Sequence, residues 1–245
     1  MYRFMTTGVV TSSLYFERRS IVIKIEHTDI VGWESAVRGM RNPLNSLAKS
    51  DSSFVCTDYD STSERDIYEY EIGPNDKDLM KRLCKAGTDH RKFMRMITVY
   101  LDITAPLYWW KEFDTYKIGT VANSCSTMHK IHAKEFTLED FSYEHILDET
   151  FTGEVIPMVL LEATIKCLNE NRAHYLSTKD KKYWWQMIQL LPSSYNQKRT
   201  VMLNYEALCN MYSARKNHKL DCWCEFCKWI ETLPYSELIT GEFEE

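Results

Sequence analysis

The chain has 245 residues, 44% hydrophobic and 27% charged, with a formal net charge of -5 at pH 7, the profile of an ordinary globular protein rather than a disordered or collagenous one. An excess of acid over base argues against a long nucleic-acid polymer as the main partner, because binding to that backbone depends on charge neutralisation; a single nucleotide needs only a few local cations. No Pro/Gly/Ser-rich linker or internal repeat divides residues 1–245, so a single domain is expected. No apolar run approaches the length of a membrane span, and MYRFMTTGVV lacks the layout of a signal peptide, which together predict a soluble, cytoplasmic protein whose eight cysteines are reduced.

In chain order, residues 14–26 (LYFERRSIVIKIE) are rich in β-branched side chains and alternate loosely, which predicts a strand. Trp33, Ala36, Val37 and Met40 fall at i, i+3, i+4 and i+7, the spacing of an amphipathic helix that stops before Pro43 and delivers Arg38 and Arg41 to its end. Beside Asn42 and Ser46, Arg41 either holds a phosphate or belongs to an ordinary helix cap. The polar residues 46–63 read as a loop with a little local structure. Residues 67–72 read as a strand, Gly73 to Asp76 as a turn, and residues 78–86 as a helix closed by Gly87. His90 is then either a cap or surface residue or a ligand contact.

Ile97, Val99, Leu101 and Ile103 alternate with polar residues and predict a half-buried strand leading into Pro106. From Pro106 to His129 the chain changes character twice. It opens as an aromatic helix (Tyr108, Trp109, Trp110, Phe113) and breaks at Gly119 into small polar residues. Asn123, Ser124, Ser126 and Thr127 place short donors and acceptors on a segment with little bulk, which suits either a bound cofactor or phosphate or a plain surface turn.

Beyond an acidic, aromatic stretch at residues 141–151, helical periodicity covers residues 155–168 and 181–191, and residues 199–217 read as a further helix. Asn204, Leu208, Met211 and Arg215 share one face of it. Asn204 and Arg215 stand roughly 16 Å apart along that face, from the helical rise, a span that fits an extended ligand; a salt bridge at the helix C-terminus accounts for Arg215 equally well. Cys222, Cys224 and Cys227, with His218, have partial zinc-ligand spacing, but Trp223, Phe226, Cys227 and Ile230 repeat at helical spacing, which favours core cysteines. Cys125 with His129 four residues on gives only a weak nucleophile-and-base pattern. No glycine-rich phosphate loop, nucleophile elbow or metalloprotease motif occurs.

Taken together, these segments resemble the flavin-dependent thymidylate synthases, whose signature Arg-His-Arg-x-x-Ser-x-Asn-Glu-x-Ser-x-Arg-Tyr follows a strand, a proline and an aromatic helix carrying Gln. Here Asn123 and Ser126 match the motif's Asn and second Ser. The Arg-His-Arg triplet falls on Thr115-Tyr116-Lys117 or Tyr116-Lys117-Ile118, and the Gln falls near Glu112 or Phe113. A second block, Leu-Pro followed by Asn-x-x-x-Leu-x-Asn/His and a downstream Arg, matches Leu191-Pro192, Asn204, Leu208, Asn210 and Arg215. An early Ala-x-Arg resembles Ala36-Val37-Arg38, and a His-x-x-x-Phe feature resembles His90 to Phe93 with one residue shifted. The motif's Glu is Ser124, its last Arg is Met128, and the Arg before Leu-Pro is Ile188.

The resemblance implies an α+β fold, an antiparallel sheet packed with helices, in a homotetramer with sites between subunits. It implies reductive methylation of dUMP to dTMP using methylene-tetrahydrofolate, FAD and NADPH. His90, Asn123, Asn204 and Asn210 would contact FAD; Ser124, Ser126, Lys117, Arg38 and Arg215 would hold the nucleotide, with Ser126 and Arg215 nearest the chemistry. No protein nucleophile is needed, since the flavin carries the reducing equivalents, and the Pro-Cys-His-Gln motif of the cysteine-dependent thymidylate synthases is absent. The rival expectations are a protein of the same fold that modifies or only binds another pyrimidine nucleotide, and a non-catalytic interaction module.

Overall fold

The computed structural model describes residues 22–150 and 153–243. Strand β1 (Lys24–Val31) is followed by helix α1 (Trp33–Arg41), then by a hairpin of β2 (Ser53–Asp60) and β3 (Arg65–Glu71), and by helix α2 (Pro74–Lys85). Strand β4 (Thr98–Pro106) runs directly into α3 (Leu107–Phe113) and the short β5 (Val121–Ser124). A long segment leads to α4 (Pro157–Thr178) and α5 (Lys181–Leu190), and the chain closes with β6 (Asn196–Asn204), α6 (Tyr205–Arg215), α7 (Asp221–Glu231) and α8 (Glu237–Thr240).

The main sheet has four strands in the order β1-β4-β6-β5, all antiparallel, and β2-β3 forms a separate two-stranded sheet. Side chains alternate across a strand, so the sheet has two different faces. Val99, Leu101, Ile103, Val201 and Leu203 are buried and pack with Trp109, Trp110, Phe113, Trp223 and Phe226. The rings of Trp109 lie 4.9 Å from those of both Trp110 and Trp223. The other face is polar: Asp102 accepts from Thr200 Oγ1 at 2.6 Å and pairs with Lys198 at 2.9 Å, and these bonds hold its carboxyl below the usual range. A second apolar cluster joins α4 and α5 to the segment before them through Ile131, Phe136, Phe141, Leu168 and Met187.

Three expectations change. Residues 46–63 contain strand β2, most of whose residues are exposed; without one buried face it has no apolar alternation to reveal it. Gly73 to Asp76 is not a turn: Pro74 opens α2, where its missing N–H costs nothing. Residues 199–217 are not one helix, for β6 occupies their first part, with Val201 and Leu203 buried and α6 starting only at Tyr205. Conversely, α1, β4, α3, α5 and α7 form within a few residues of where periodicity places them. The expected strand at residues 14–26 falls mainly outside the described residues, and β1 begins at Lys24. No helix among the described residues is long and apolar enough to cross a membrane.

Candidate functional site

Strand β5 carries the small polar residues that the sequence singles out, and its register decides which way each points. Asn123 pairs with Thr200 and Ser124 with Arg199, and directly opposed residues share a face. Asn123 therefore lies on the polar face, in the row of Asp102 and Thr200, while Ser124 lies on the helix-covered face beside Arg199. That arginine is occupied: it donates to Asp114 Oδ1 at 2.7 Å and Gln197 Oε1 at 3.0 Å, and lies 4.2 Å from the Trp110 ring centroid. Neighbouring Asn123 and Ser124 thus address two different environments.

Just past the strand, Ser126 Oγ accepts from His129 N at 2.8 Å and Met128 N at 3.3 Å. Trp184 Nε1 on α5 donates to Met128 O at 3.0 Å and straps this turn down. Gln197 Nε2 holds Cys125 O at 2.7 Å. Cys125, like Ser126, is exposed.

Asn204 ends β6 and caps α6, its Oδ1 accepting from Ala207 N at 2.9 Å. Its Nδ2 remains a donor and borders Gly119, which has φ +74; a Cβ there would lie 2.6 Å from that nitrogen. The loop that resembles the Arg-His-Arg region therefore passes bare backbone over the Asn204 amide.

At the far end of α6, Arg215 Nη1 donates to Glu112 Oε2 at 2.6 Å and its Nε to Tyr116 Oη at 2.9 Å. Its guanidinium sits 4.8 Å from the Trp223 ring centroid. Glu112 Oε2 also accepts from Trp223 Nε1 at 3.0 Å and lies 3.5 Å from His218 Nε2. The salt-bridge account of Arg215 is thus realised, through a partner on α3 rather than on its own helix, and Nη2 has no hydrogen-bond partner among the described residues.

The remaining predicted residues distribute as follows. Lys117 and Asn210 are exposed, one on the loop above and one on α6. His90 is exposed in the turn after α2; adjacent Arg91 bonds Glu206 of α6 through Nε at 2.9 Å and Nη2 at 3.2 Å, which ties that turn to the helix carrying Asn210. Arg38 lies apart, exposed on α1 and 3.8 Å from Glu34. Arg41 is not available to a phosphate: it is buried and pairs at 2.5 Å with fully buried Asp76. Burial works to raise the Asp76 pKa, but bonds from Ser50, Ser52, Arg41 and the Asp51 amide outweigh it and hold the carboxyl below its usual range.

Cys222, Cys224 and Cys227 stand on α7, where residues two apart point to different sides. Burial pushes the thiols of Cys222 and Cys227 up to about 11 each, which keeps them protonated and poor metal ligands. Among the described residues, no group of three His, Cys, Asp or Glu gathers to hold a metal.

The sequence reading missed the roles of Gly119, Arg199 and Tyr116. The positive φ of Gly119 is only suggested by its type, and the partners of Arg199 are remote in sequence. A cavity of about 1290 Å³ also lies elsewhere, between β1, α1, the β2-β3 hairpin and the turn after α7, and none of the predicted site residues lines it.

No family model and no curated protein matches the chain. Solved structures do. A flavin-dependent thymidylate synthase ThyX from Helicobacter pylori complexed with FAD and dUMP is 15% identical, covers 89% of this chain and 98% of its own, and superposes with a TM-score of 0.61. A UMP/dUMP methylase PolB from Streptomyces cacaoi bound with 5-Br dUMP is 14% identical, covers 89% of this chain and 95% of its own, with a TM-score of 0.55. Helices packed on an antiparallel sheet are common to all of them, and the chain described here has the fold of the flavin-dependent thymidylate synthases.

Proposed function

We propose that the chain binds FAD and a pyrimidine nucleotide around β5, the loop before it and α6, and methylates dUMP reductively with methylene-tetrahydrofolate and NADPH. The observation that carries this reading is the convergence of Asn204, Gly119 and the polar end of β5 on one edge of a sheet whose fold, over nearly the whole chain, is that of enzymes solved with FAD and dUMP. When bound, the flavin supplies the hydride that reduces the one-carbon unit on the nucleotide.

The chain's own residues fit that role as binders and positioners. The Asn204 amide offers a donor over bare Gly119 backbone, with Asn123 on the same face of the sheet, and Asn210 and His90 complete the flavin contacts. Ser126 presents its hydroxyl on a strapped turn, Ser124 lies beside it, and Arg215 Nη2 offers a charge-assisted donor to the nucleotide. Lys117 adds a cation at the rim, and Arg38, which lies apart in the single chain, would reach the nucleotide from a further copy of the chain.

The reading calls for completion of the site by further copies of the chain. Ile118 is 95% exposed, and Val121 and Met128 are more than half exposed, so apolar side chains ring these polar groups on an open edge. An open edge cannot exclude water from a hydride transfer. A homotetramer with sites between subunits, each chain a single domain, supplies the missing walls.

A second reading, binding or modification of a different pyrimidine nucleotide, is favoured by the likeness to a UMP/dUMP methylase and by Thr115-Tyr116-Lys117, which keeps only one cation of the Arg-His-Arg triplet. The deciding experiment incubates the purified chain with FAD, removes free flavin by gel filtration and records the visible spectrum with and without dUMP. Retained flavin bands that shift with dUMP, together with release of tritium from C5-labelled dUMP under folate and NADPH, are expected. Retained flavin with no response to dUMP selects the second reading, and no retained flavin rejects flavin-dependent methylation and leaves nucleotide binding without turnover or a non-catalytic interaction module.

A further inference from the structure

The cavity remote from that site has a chemistry of its own. Its walls come from three places: the end of β1 and the first turn of α1, the β2-β3 hairpin, and the turn after α7. Phe54, Tyr68, Tyr70, Trp33, Trp229 and Tyr235 give it aromatic surface, and Asp29, Glu34, Glu69 and Glu71 give it four carboxylates with no Lys, Arg or His among the lining residues. Glu34 pairs with Arg38 at 3.8 Å, and Lys77 bonds Glu237 at 3.0 Å while its Nζ lies 5.4 Å from the Tyr235 ring centroid; Asp29, Glu69 and Glu71 have no ion-pair partner among the described residues. Aromatic faces and unneutralised carboxylates both attract organic cations.

Two more features point to a chain rather than a small molecule. The volume, about 1290 Å³, exceeds the roughly 300–1,000 Å³ of ordinary small-ligand sites. And β1 is an edge strand of the main sheet among the described residues, and its last residues, Thr28 to Val31, form one wall of the cavity, so an edge with unpaired backbone groups adjoins the space. An extended segment that pairs with such an edge presents alternate side chains to the walls on either side.

We infer that this groove is a docking site for a basic, extended polypeptide segment of a partner protein, added as a strand to the free edge of β1 with its Lys or Arg side chains held by the hairpin's aromatics and carboxylates. It is independent of the nucleotide reading. The hairpin is what sets it: Tyr70 anchors it to the core, while Phe54 and Tyr68, which line the cavity, are each 57% exposed in the single chain.

The test is fluorescence anisotropy of a labelled alternating Arg-Val decapeptide with the full chain, against an alternating Glu-Val peptide and an Arg-Val peptide N-methylated at every second residue. The Arg-Val peptide is expected to bind at least tenfold more tightly than either control, to weaken at least tenfold in the Glu69→Gln/Glu71→Gln double variant and in Tyr68→Ala, and to release as salt is raised. Both variants change exposed residues, so their folding is checked by unchanged thermal melting. Equal binding by the N-methylated peptide overturns strand addition. Displacement by spermine at equal charge concentration assigns the groove to a small polyamine instead, and displacement of the peptide by self-association of the chain assigns it to a second copy; either overturns the proposal, as does no binding.

Discussion

Arg215 and Glu112 meet at 2.6 Å although 103 residues separate them. The pair joins the end of α6 to α3, and the Trp223 indole closes over it, donating to the same carboxylate oxygen that Arg215 uses. A phosphate approaching Arg215 must therefore compete with a carboxylate already in place. Glu112→Gln keeps an acceptor for Trp223 and removes the negative charge. It is expected to raise dUMP affinity about threefold to tenfold, about 0.7–1.4 kcal/mol, with unchanged flavin retention. Titration calorimetry of both proteins checks this, and equal affinities would remove Arg215 from the nucleotide site.

The complementary change, Arg215→Ala, takes a charge-assisted donor from the nucleotide. It also leaves Glu112 about one-third exposed and so partly solvated. The structural loss is expected to be small, about 1 kcal/mol, as for other partly exposed pairs, while nucleotide binding weakens by about 1.5–3 kcal/mol. Urea unfolding and calorimetry separate the two effects. A large loss of stability with unchanged binding would make Arg215 purely structural.

Much of this arrangement was readable from the sequence, and what was not has physical reasons. α1 and β4 each bury one face, so Ala36, Val37 and Met40 or Val99, Leu101 and Ile103 mark their periods directly. The hairpin exposes both of its faces, so Phe54, Val55, Tyr59 and Tyr68 alternate against nothing. β6 runs into α6 without a break, because Asn204 ends one element and caps the next; a strand of nine residues with only three buried was absorbed into the helical pattern behind it. Partner choice was least legible. In sequence Arg41 suits a phosphate or a helix cap and Arg215 an extended ligand or a salt bridge, and only the fold brings Asp76 and Glu112 to them.

Arg41 and Asp76 provide a stability prediction away from the candidate site. Asp76 is fully buried and accepts from Arg41, Ser50, Ser52 and the Asp51 amide. Arg41→Ala strands that carboxylate, and a loss of about 3–5 kcal/mol is expected, as when one partner of a buried pair is removed. The pH dependence follows from the lowered Asp76 pKa. A carboxyl lowered by folding stabilises the native state above its unfolded value, 3.8 for an ordinary aspartate; that contribution is lost as pH falls through the folded value. Wild-type stability is therefore expected to decline with acid below about pH 4, and the decline to be shallower in Asp76→Asn. Parallel acid profiles for the two proteins, measured by urea unfolding, would contradict it.

Ser126→Ala tests the strapped turn. The hydroxyl accepts two backbone N–H groups, and the residue is exposed, so its loss is expected to cost the fold no more than about 1 kcal/mol. Flavin retention should be unchanged, and turnover or dUMP affinity should fall at least about tenfold, the worth of one hydrogen bond of about 1.4 kcal/mol. Wild-type kinetics would show that the match between Ser126 and the family motif is fortuitous.

Gly119→Ala separates a positioning role from a binding one. The residue has a left-handed backbone, and its new methyl group would sit 2.6 Å from Asn204 Nδ2. Both the strain of an L-residue at positive φ and the displaced cap destabilise, by about 1–3 kcal/mol and about 1 kcal/mol respectively. Asn204→Asp keeps a capping oxygen and removes only the amide donor, so its melting temperature is expected to stay near wild type. If Asn204 Nδ2 donates to the flavin, both variants lose flavin on gel filtration, but only Gly119→Ala also loses stability. Flavin retained by Asn204→Asp would confine Asn204 to capping α6 and leave Gly119 as a turn residue with no part in the site.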